Sequence, residues 1–218
     1  SGFVETLMDG AIDEPDDARR FLAIIDRHTR RLNAIIEDLL TLSQMERIQS
    51  PGATSLTGMI EARPMPLAGV LQAACQTCMA AADGRQIEIR LTCPEDLTAT
   101  INPRLFEQAM VNLIENAVNY SEPTQSVEIV AEESGDATRI RIIDHGTGIA
   151  NQHLDRIFER FYRVDKARSR DQGGTGLGLA IVKHIVKAHN GTVEVASRLN
   201  EGTTFTVRLP LPPVGSGD

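Results

Sequence analysis

The sequence has no Trp, two Tyr and six Phe among 218 residues, so any core must be aliphatic. Cysteine is scarce and odd in number: Cys75, Cys78 and Cys93 are the only three. That excludes a disulfide-stapled scaffold and fits a reducing compartment. No apolar run approaches the ~20 residues that span a bilayer, and no secretory signal opens the chain. Basic charge is in deficit, with 22 Lys and Arg against 30 Asp and Glu, a net charge of −8. A dedicated nucleic-acid binder needs a basic face, so no nucleic-acid partner is expected. What is present is the balance of a globular protein: 41% hydrophobic and 24% charged residues, which excludes a disordered chain.

Patterning divides the chain. Phe3, Leu7 and Met8 share a helical face, and Asp9-Gly10 ends that helix. Asp16-Asp17 starts a second helix running to about Gln49. In it Ile25, Leu32 and Leu39 recur at sevens, with Ile35, Ile36 and Leu42 between. A heptad-like seam of this kind suits a hairpin that dimerises into a four-helix bundle. Pro51 to Ser55 breaks the pattern. Beyond it, helices are expected at Leu67–Ala82, Pro103–Tyr120 and Gly176–His189. Strands are expected at Gln86–Leu91, in another short segment that ends at Ile101, and at Val127–Val130, Arg139–Ile143, Thr192–Val195 and Thr203–Leu209, the last two as a hairpin around Asn200-Glu201-Gly202. Helices and strands mix without regular alternation, which predicts an α+β fold. The expected domains are residues 1–58, a helical hairpin; 59–212, an α/β sandwich; and 213–218, a Pro/Gly tail.

Four segments carry chemistry. Asn112 and Asn116 lie four apart on one helical face within Asn112-Leu-Ile-Glu-Asn-Ala-Val-Asn-Tyr120, and suit a hard cation such as Mg²⁺. Asp144-His-Gly-Thr-Gly-Ile149 follows a strand; its glycines allow close backbone approach to a ligand, and its carboxylate can accept from an exocyclic amine. A plain glycine turn fits that segment equally well. Ile157-Phe-Glu-Arg-Phe-Tyr-Arg163 precedes a basic stretch with Lys166, Arg168 and Arg170, suited to phosphate oxygens or to a solvated loop. Gly173-Gly-Thr-Gly-Leu-Gly-Leu179 leads into a helix whose amides can face phosphate. No Lys-Ser/Thr follows, so it is not a P-loop, and its spacing is not that of a dinucleotide-binding fold.

In this order the four segments resemble the N, G1, F and G2 boxes of sensor histidine kinases, within the superfamily that includes gyrase, Hsp90 and MutL ATPases. Asp38 through Glu46 resembles the second helix of the kinase dimerisation domain, and Gly202 through Pro210 the last strand of the catalytic domain. Gly2 through Leu7 is similar to phosphate-regulon-type sensors. The resemblance implies ATP and Mg²⁺ as ligands. It implies Asn116 as the Mg²⁺ ligand, with Asn112 and Asn119 toward the phosphates, Tyr120 against adenine and Asp144 accepting from the adenine amino group. Gly146 and Gly148 make room for the base, and Arg163 lies near the phosphates. Gly174, Thr175, Gly176, Leu177 and Gly178 form the phosphate-facing loop. Two departures stand out. Many members have Lys at the position of Asn119, and hydrolytic relatives have Glu at the position of Asn112, which leaves no obvious base for water.

The same resemblance implies a kinase core that passes the ATP γ-phosphoryl to a histidine and thence to a response-regulator aspartate. Its partners are a second copy through the hairpin and a receiver domain. Its place is the cytoplasmic side of a membrane-anchored, inner-membrane bacterial sensor. The family's phosphoacceptor motif is not found; by alignment it falls roughly ten residues before Ser1, or ~15 Å along a continuous helix. No catalytic residue is therefore assigned, and the chain alone is expected not to phosphorylate itself. His28 sits beside the seam and is not taken as the acceptor. His145 lies in the nucleotide turn, and His153, His184 and His189 read as helix-surface residues. A hydrolysing ATPase and a non-catalytic nucleotide-sensing scaffold are the competing readings. Cys75 and Cys78 form a C-x-x-C without a second ligand pair, and fit a helix face among Ala residues.

Overall fold

A computed structural model describes residues 15–48, 60–164 and 175–211. The first arm of the expected hairpin, the Pro51–Ser55 break, Lys166, Arg168, Arg170, Gly174 and the tail lie outside the described residues. The elements are α1 (Pro15–Ile48), β1 (Arg63–Pro66), α2 (Leu67–Asp83), β2 (Glu88–Thr92), β3 (Thr98–Ile101), α3 (Pro103–Tyr120), β4 (Ser126–Ser134), β5 (Ala137–Asp144), α4 (Asn151–Leu154), α5 (Gly178–Ala188), β6 (Thr192–Arg198) and β7 (Gly202–Pro210).

Five strands form a mixed sheet in the order β2-β4-β5-β7-β6, parallel only between β2 and β4. A separate antiparallel pair joins β1 to β3. The alternation along β5 buries Thr138, Ile140, Ile142 and Asp144. Facing them in register on β7 are Leu209, Val207, Phe205 and Thr203. A period of two therefore carries an apolar face to the strand's end, and there replaces the next aliphatic side chain with a carboxylate. Helices α2, α3 and α5 pack against the sheet and one another. The core is aliphatic as the composition requires, with Phe106 the largest of its fully buried side chains.

Helix α3 shows how sequence sets an element. Asn102 caps it, its Oδ1 accepting from the Leu105 amide at 3.1 Å, and Pro103 occupies the first turn, where no amide proton is needed. Phe106, Met110, Leu113, Ala117 and neighbours form its buried face. Its Asn residues fall elsewhere on the helix, at partly exposed positions. Helix α5 begins at Gly178 and not at Gly176, because Gly176 has φ of +76°, a conformation that cannot continue a right-handed helix. Sequence pattern did not reveal the short β1 and α4, which have too few residues to show a period.

Helix α1 packs against α5. Leu42 and Met45 are buried, whereas Leu22, Leu32, Ile36, Leu39 and Leu40 are exposed in the single chain. Cys75 and Cys78 are buried in α2, and the Cys78 thiol is pushed up to about 12 by burial, with Glu115 and Cys75 adding to it. Such thiols are inert at neutral pH. Among the described residues no cluster of three His, Cys, Asp or Glu is placed to hold a metal, and no helix is long and apolar enough to cross a membrane.

His189, expected at a helix surface, is instead buried at 2% exposure. Its Nδ1 donates to the Ile185 carbonyl at 2.7 Å, and its Nε2 accepts from the Asn102 amide at 2.9 Å. Asn102 Nδ2 in turn donates to the Ile60 carbonyl at 2.6 Å. The ring is thus held neutral, and burial pushes its pKa down. A depressed histidine pKa favours the fold above the unfolded value, and that stability is lost as pH falls below about 6.5. The loss is expected to reach up to ~1.4 kcal/mol per pH unit before levelling at the folded pKa. Urea unfolding at pH 7.5 and 5.5 reads it. His189→Gln should flatten the dependence, and His184→Gln, whose pKa is also lowered by burial, should remove a smaller share.

Candidate nucleotide site

The site is built where the ends of β5 and α3 meet. Asp144 is 5% exposed. Its Oδ1 accepts from the Gly146 amide at 2.9 Å and the Thr203 amide at 3.2 Å. No described residue donates to Oδ2. Burial pushes the carboxyl pKa up, and the two amide bonds and His145 oppose the rise. The carboxylate is thus anchored through one oxygen and open through the other. A cleft lined by Asp144, Ser197, Gly202, Thr203 and Thr204 adjoins it.

The glycines around Asp144 are places where backbone meets backbone. A Cβ on Gly146 would lie 2.0 Å from the Tyr120 carbonyl oxygen, and one on Gly148 1.9 Å from that of Arg198. Thr147 donates its amide to the Tyr120 carbonyl at 3.2 Å, and its own carbonyl accepts from Asn200 at 2.9 Å. The Ile149 amide donates to Ser197 Oγ at 2.8 Å. The segment after Asp144 is thereby bound to the end of α3 on one side and to the β6–β7 turn on the other.

On α3, Asn112, Asn116, Asn119 and Tyr120 recur at helical spacing. The Asn112 carboxamide reaches α5, Nδ2 donating to the Gly178 carbonyl at 3.5 Å. The Tyr120 ring is exposed. Arg85 fixes the end of the helix, its guanidinium donating to the Asn119 and Ser121 carbonyls at 3.1 and 3.3 Å. Gly176 accepts from the Phe161 amide at 2.8 Å, and the Arg163 side chain lies beside it. Thr175 Oγ1 accepts from the Leu177 amide at 3.1 Å and donates to Asp38 of α1 at 2.8 Å. The structure therefore brings together Asn112 with Gly178, Tyr120 with Gly146 and Thr147, and Arg163 with Gly176.

Sequence reasoning missed Thr203, Ser197 and Arg85 around the acidic turn, and Asp38 at the glycine loop. Their places follow from strand register and from the packing of α1, neither of which a linear pattern displays. The one local signal is the Gly202-Thr203 pair at the hairpin turn and the start of the last strand.

A half-bonded carboxylate at a sheet end, crowded glycines and a glycine-bearing loop before a helix thus sit on one mixed-sheet α/β sandwich. The family model described as "Histidine kinase-, DNA gyrase B-, and HSP90-like ATPase" matches residues 101–213, and that described as "His Kinase A (phospho-acceptor) domain" matches residues 1–48. The chain belongs to the first of these families, and the second model matches the segment that precedes it. The sensor protein SrrB of Staphylococcus aureus is 35% identical over 211 residues, covering 97% of this chain and 35% of its own. The chain thus spans about a third of the length of the curated relatives it matches. The histidine kinase AdeS of Acinetobacter baumannii superposes with a TM-score of 0.73 at 24% identity, over 96% of this chain and 92% of its own. Full-length ShkA in complex with AMPPNP does so with 0.68 at 24%, over 89% and 39%. The mixed-sheet α/β fold agrees with these neighbours. The named relatives give no support to a phosphate-regulon type in particular.

Proposed function

We propose that the chain is the ATP-binding catalytic core of a two-component kinase, which delivers the ATP γ-phosphoryl to a histidine for relay to a response-regulator aspartate. The observation that carries this reading is the half-used carboxylate of Asp144: one oxygen is fixed by two amides and the other is open to an exocyclic amine. Adenine offers a donor there and guanine offers an acceptor, so the site selects ATP. Gly146 and Gly148, expected to make room for the base, instead let the turn pack on the backbone of Tyr120 and Arg198 and so hold Asp144 in place, while Tyr120 covers the base. The loop from Gly174 to Gly178, with Asn112, Asn119 and Arg163, holds the phosphates. The absence of a carboxylate at Asn112 removes a base for water and favours phosphoryl transfer over hydrolysis.

Mg²⁺ fits the donors present. It keeps several waters and takes one or two protein oxygens beside the phosphates, so a single carboxamide suffices. Asn116 would hold it, and when bound it neutralises charge on the phosphoryl oxygens. The work of the chain is positioning. We further assign residues 1–58 to a dimerisation hairpin, residues 59–212 to the catalytic domain and 213–218 to a tail. The exposed apolar side chains of α1 support a homodimer. By likeness to the family we infer a receiver domain as partner and a place on the cytoplasmic side of a membrane-anchored bacterial sensor.

Calorimetric titration with a non-hydrolysable ATP analogue, with and without Mg²⁺, tests the reading. The parent should bind more tightly with Mg²⁺. Asn116→Ala should weaken the Mg²⁺-dependent binding about tenfold, or ~1.4 kcal/mol, and leave Mg²⁺-free binding unchanged. Undiminished Mg²⁺ dependence in that variant overturns the metal assignment, and a parent that binds no analogue overturns the whole reading.

A further inference from the structure

Helix α1 meets the catalytic domain along one stripe. Ile35, Asp38, Leu42 and Met45 recur at spacings of three, four and three, the face of a single helix. Leu42 and Met45 are 1% and 2% exposed, and Ile35 packs against the same core. Asp38 is the charged member of this otherwise apolar stripe, and is partly buried. A carboxylate in that position needs a partner, and it has one in Thr175 at 2.8 Å.

The partner matters because of what it also holds. Thr175 Oγ1 has one proton and gives it to Asp38. With a lone pair the same oxygen accepts the Leu177 amide proton at 3.1 Å. Leu177 is fully buried and opens helix α5. An amide has one proton, so while it points at Thr175 it is not offered to a phosphate. A second cost adds to the first. Burial pushes the Glu115 carboxyl of α3 up, and the charge of Asp38 adds to the rise. Asp38 thus sets a carboxylate against the loop that would receive a polyanion, and like charge there opposes it.

We propose that Asp38 is a catch on the nucleotide loop: through Thr175 it turns the Leu177 amide inward, so that seating of α1 on the catalytic domain and binding of the nucleotide phosphates oppose each other. The inference rests on the reading of residues 175–178 as phosphate-facing. It makes α1 a regulator of the site as well as a dimerisation element. Because coupling is reciprocal, nucleotide loosens α1 by the same factor by which seated α1 weakens nucleotide.

The test is titration of the 218-residue chain with the Mg²⁺ complex of a non-hydrolysable ATP analogue. Asp38→Ala should tighten binding about fivefold or more, the lower end of ordinary coupling between sites. Asp38→Asn keeps the shape and an acceptor but loses the charge, and should tighten it less. In a Thr175→Ala background the Asp38→Ala gain should shrink to the part due to charge alone. Amide hydrogen exchange over residues 35–45 should rise on adding the analogue to the parent, and not in Asp38→Ala, where α1 is already released. If Asp38→Ala binds no more tightly than the parent while its melting temperature is unchanged, the catch is refuted. Asp144→Asn, which keeps both amide bonds to Oδ1 and with them the fold, separates the catch from the nucleotide reading. If it loses binding while Asp38→Ala equals the parent, the catch alone falls; if it binds like the parent, the nucleotide reading falls and the catch with it.

Discussion

Gly146→Ala should cost about 3 kcal/mol of stability, the upper range for forced overpacking, and should abolish nucleotide binding. The added Cβ would stand 2.0 Å from the Tyr120 carbonyl oxygen, 2.6 Å from its carbon and 2.9 Å from the Ser121 nitrogen. All three are backbone atoms, so no side chain can rotate away. Neither side of the contact yields easily. On one side, the Gly146 amide is tied to Asp144 and the Thr147 amide to Tyr120. On the other, the end of α3 is closed by Ser121, whose amide and hydroxyl both donate to the Ala117 carbonyl, and is clamped by Arg85. Separating them breaks the junction that places Asp144 opposite the Asn-bearing helix. Gly69→Ala is the matched control. Gly69 lies within α2 and a Cβ there would meet nothing within 4 Å. It should stabilise the fold by roughly 0.5–1 kcal/mol through helix propensity. Urea unfolding of the two variants, in parallel with analogue titration, measures the contrast. Equal stabilities would show that the β5–α3 junction is soft and that close approach at Gly146 is not needed.

The elements were legible because their causes are local. Pro103 and Asn102 mark the start of α3 wherever the chain folds, and alternation through Arg139–Ile143 marks β5 without reference to its neighbours. The glycine loop and Asp144 were legible as a set, since four short segments in order are far more specific than any one of them. What was hidden depends on pairing. That Thr203 donates to Asp144 follows from the β5–β7 register, which sets Asp144 against Thr203. His189 looked like a surface residue at the end of an amphipathic helix. It is buried because the Asn102 amide and the Ile185 carbonyl satisfy both ring nitrogens, which turns a polar side chain into an acceptable core residue. Asp38 reads in sequence as one more charge on the second helix; its contact with Thr175 joins residues 137 apart and has no linear signature.

Asp144→Asn should separate the role of this side chain in folding from its role in recognition. The two amides of Gly146 and Thr203 both point at Oδ1. An asparagine therefore places its carbonyl oxygen there and keeps both bonds. Its NH₂ group takes the position of Oδ2. Stability should change by less than ~1 kcal/mol, since a neutral group replaces a carboxylate whose charged form burial disfavours. Binding should not survive so well. The acceptor that faced the adenine amino group becomes a donor facing a donor, and the loss is expected at ~2–4 kcal/mol, or about 30- to 1,000-fold in Kd. Guanine, with an acceptor at the same edge, should lose less, so the ratio of ATP-analogue to GTP-analogue affinity should fall. Asp144→Ala differs in kind: it leaves two buried amides unsatisfied at about 1–3 kcal/mol each, and so loses fold and ligand together. The parent itself should imitate the Asn variant in acid. Protonation puts an O–H at Oδ2, and because burial raises the carboxyl pKa, the loss of affinity begins at higher pH than for an ordinary aspartate. Measured from pH 7.5 down to pH 5, the ratio of parent to Asp144→Asn affinity should therefore fall toward unity. Common effects of phosphate titration cancel in that ratio. A ratio that holds constant with pH, or an Asn variant that binds ATP as the parent does, would place adenine recognition elsewhere in the cleft.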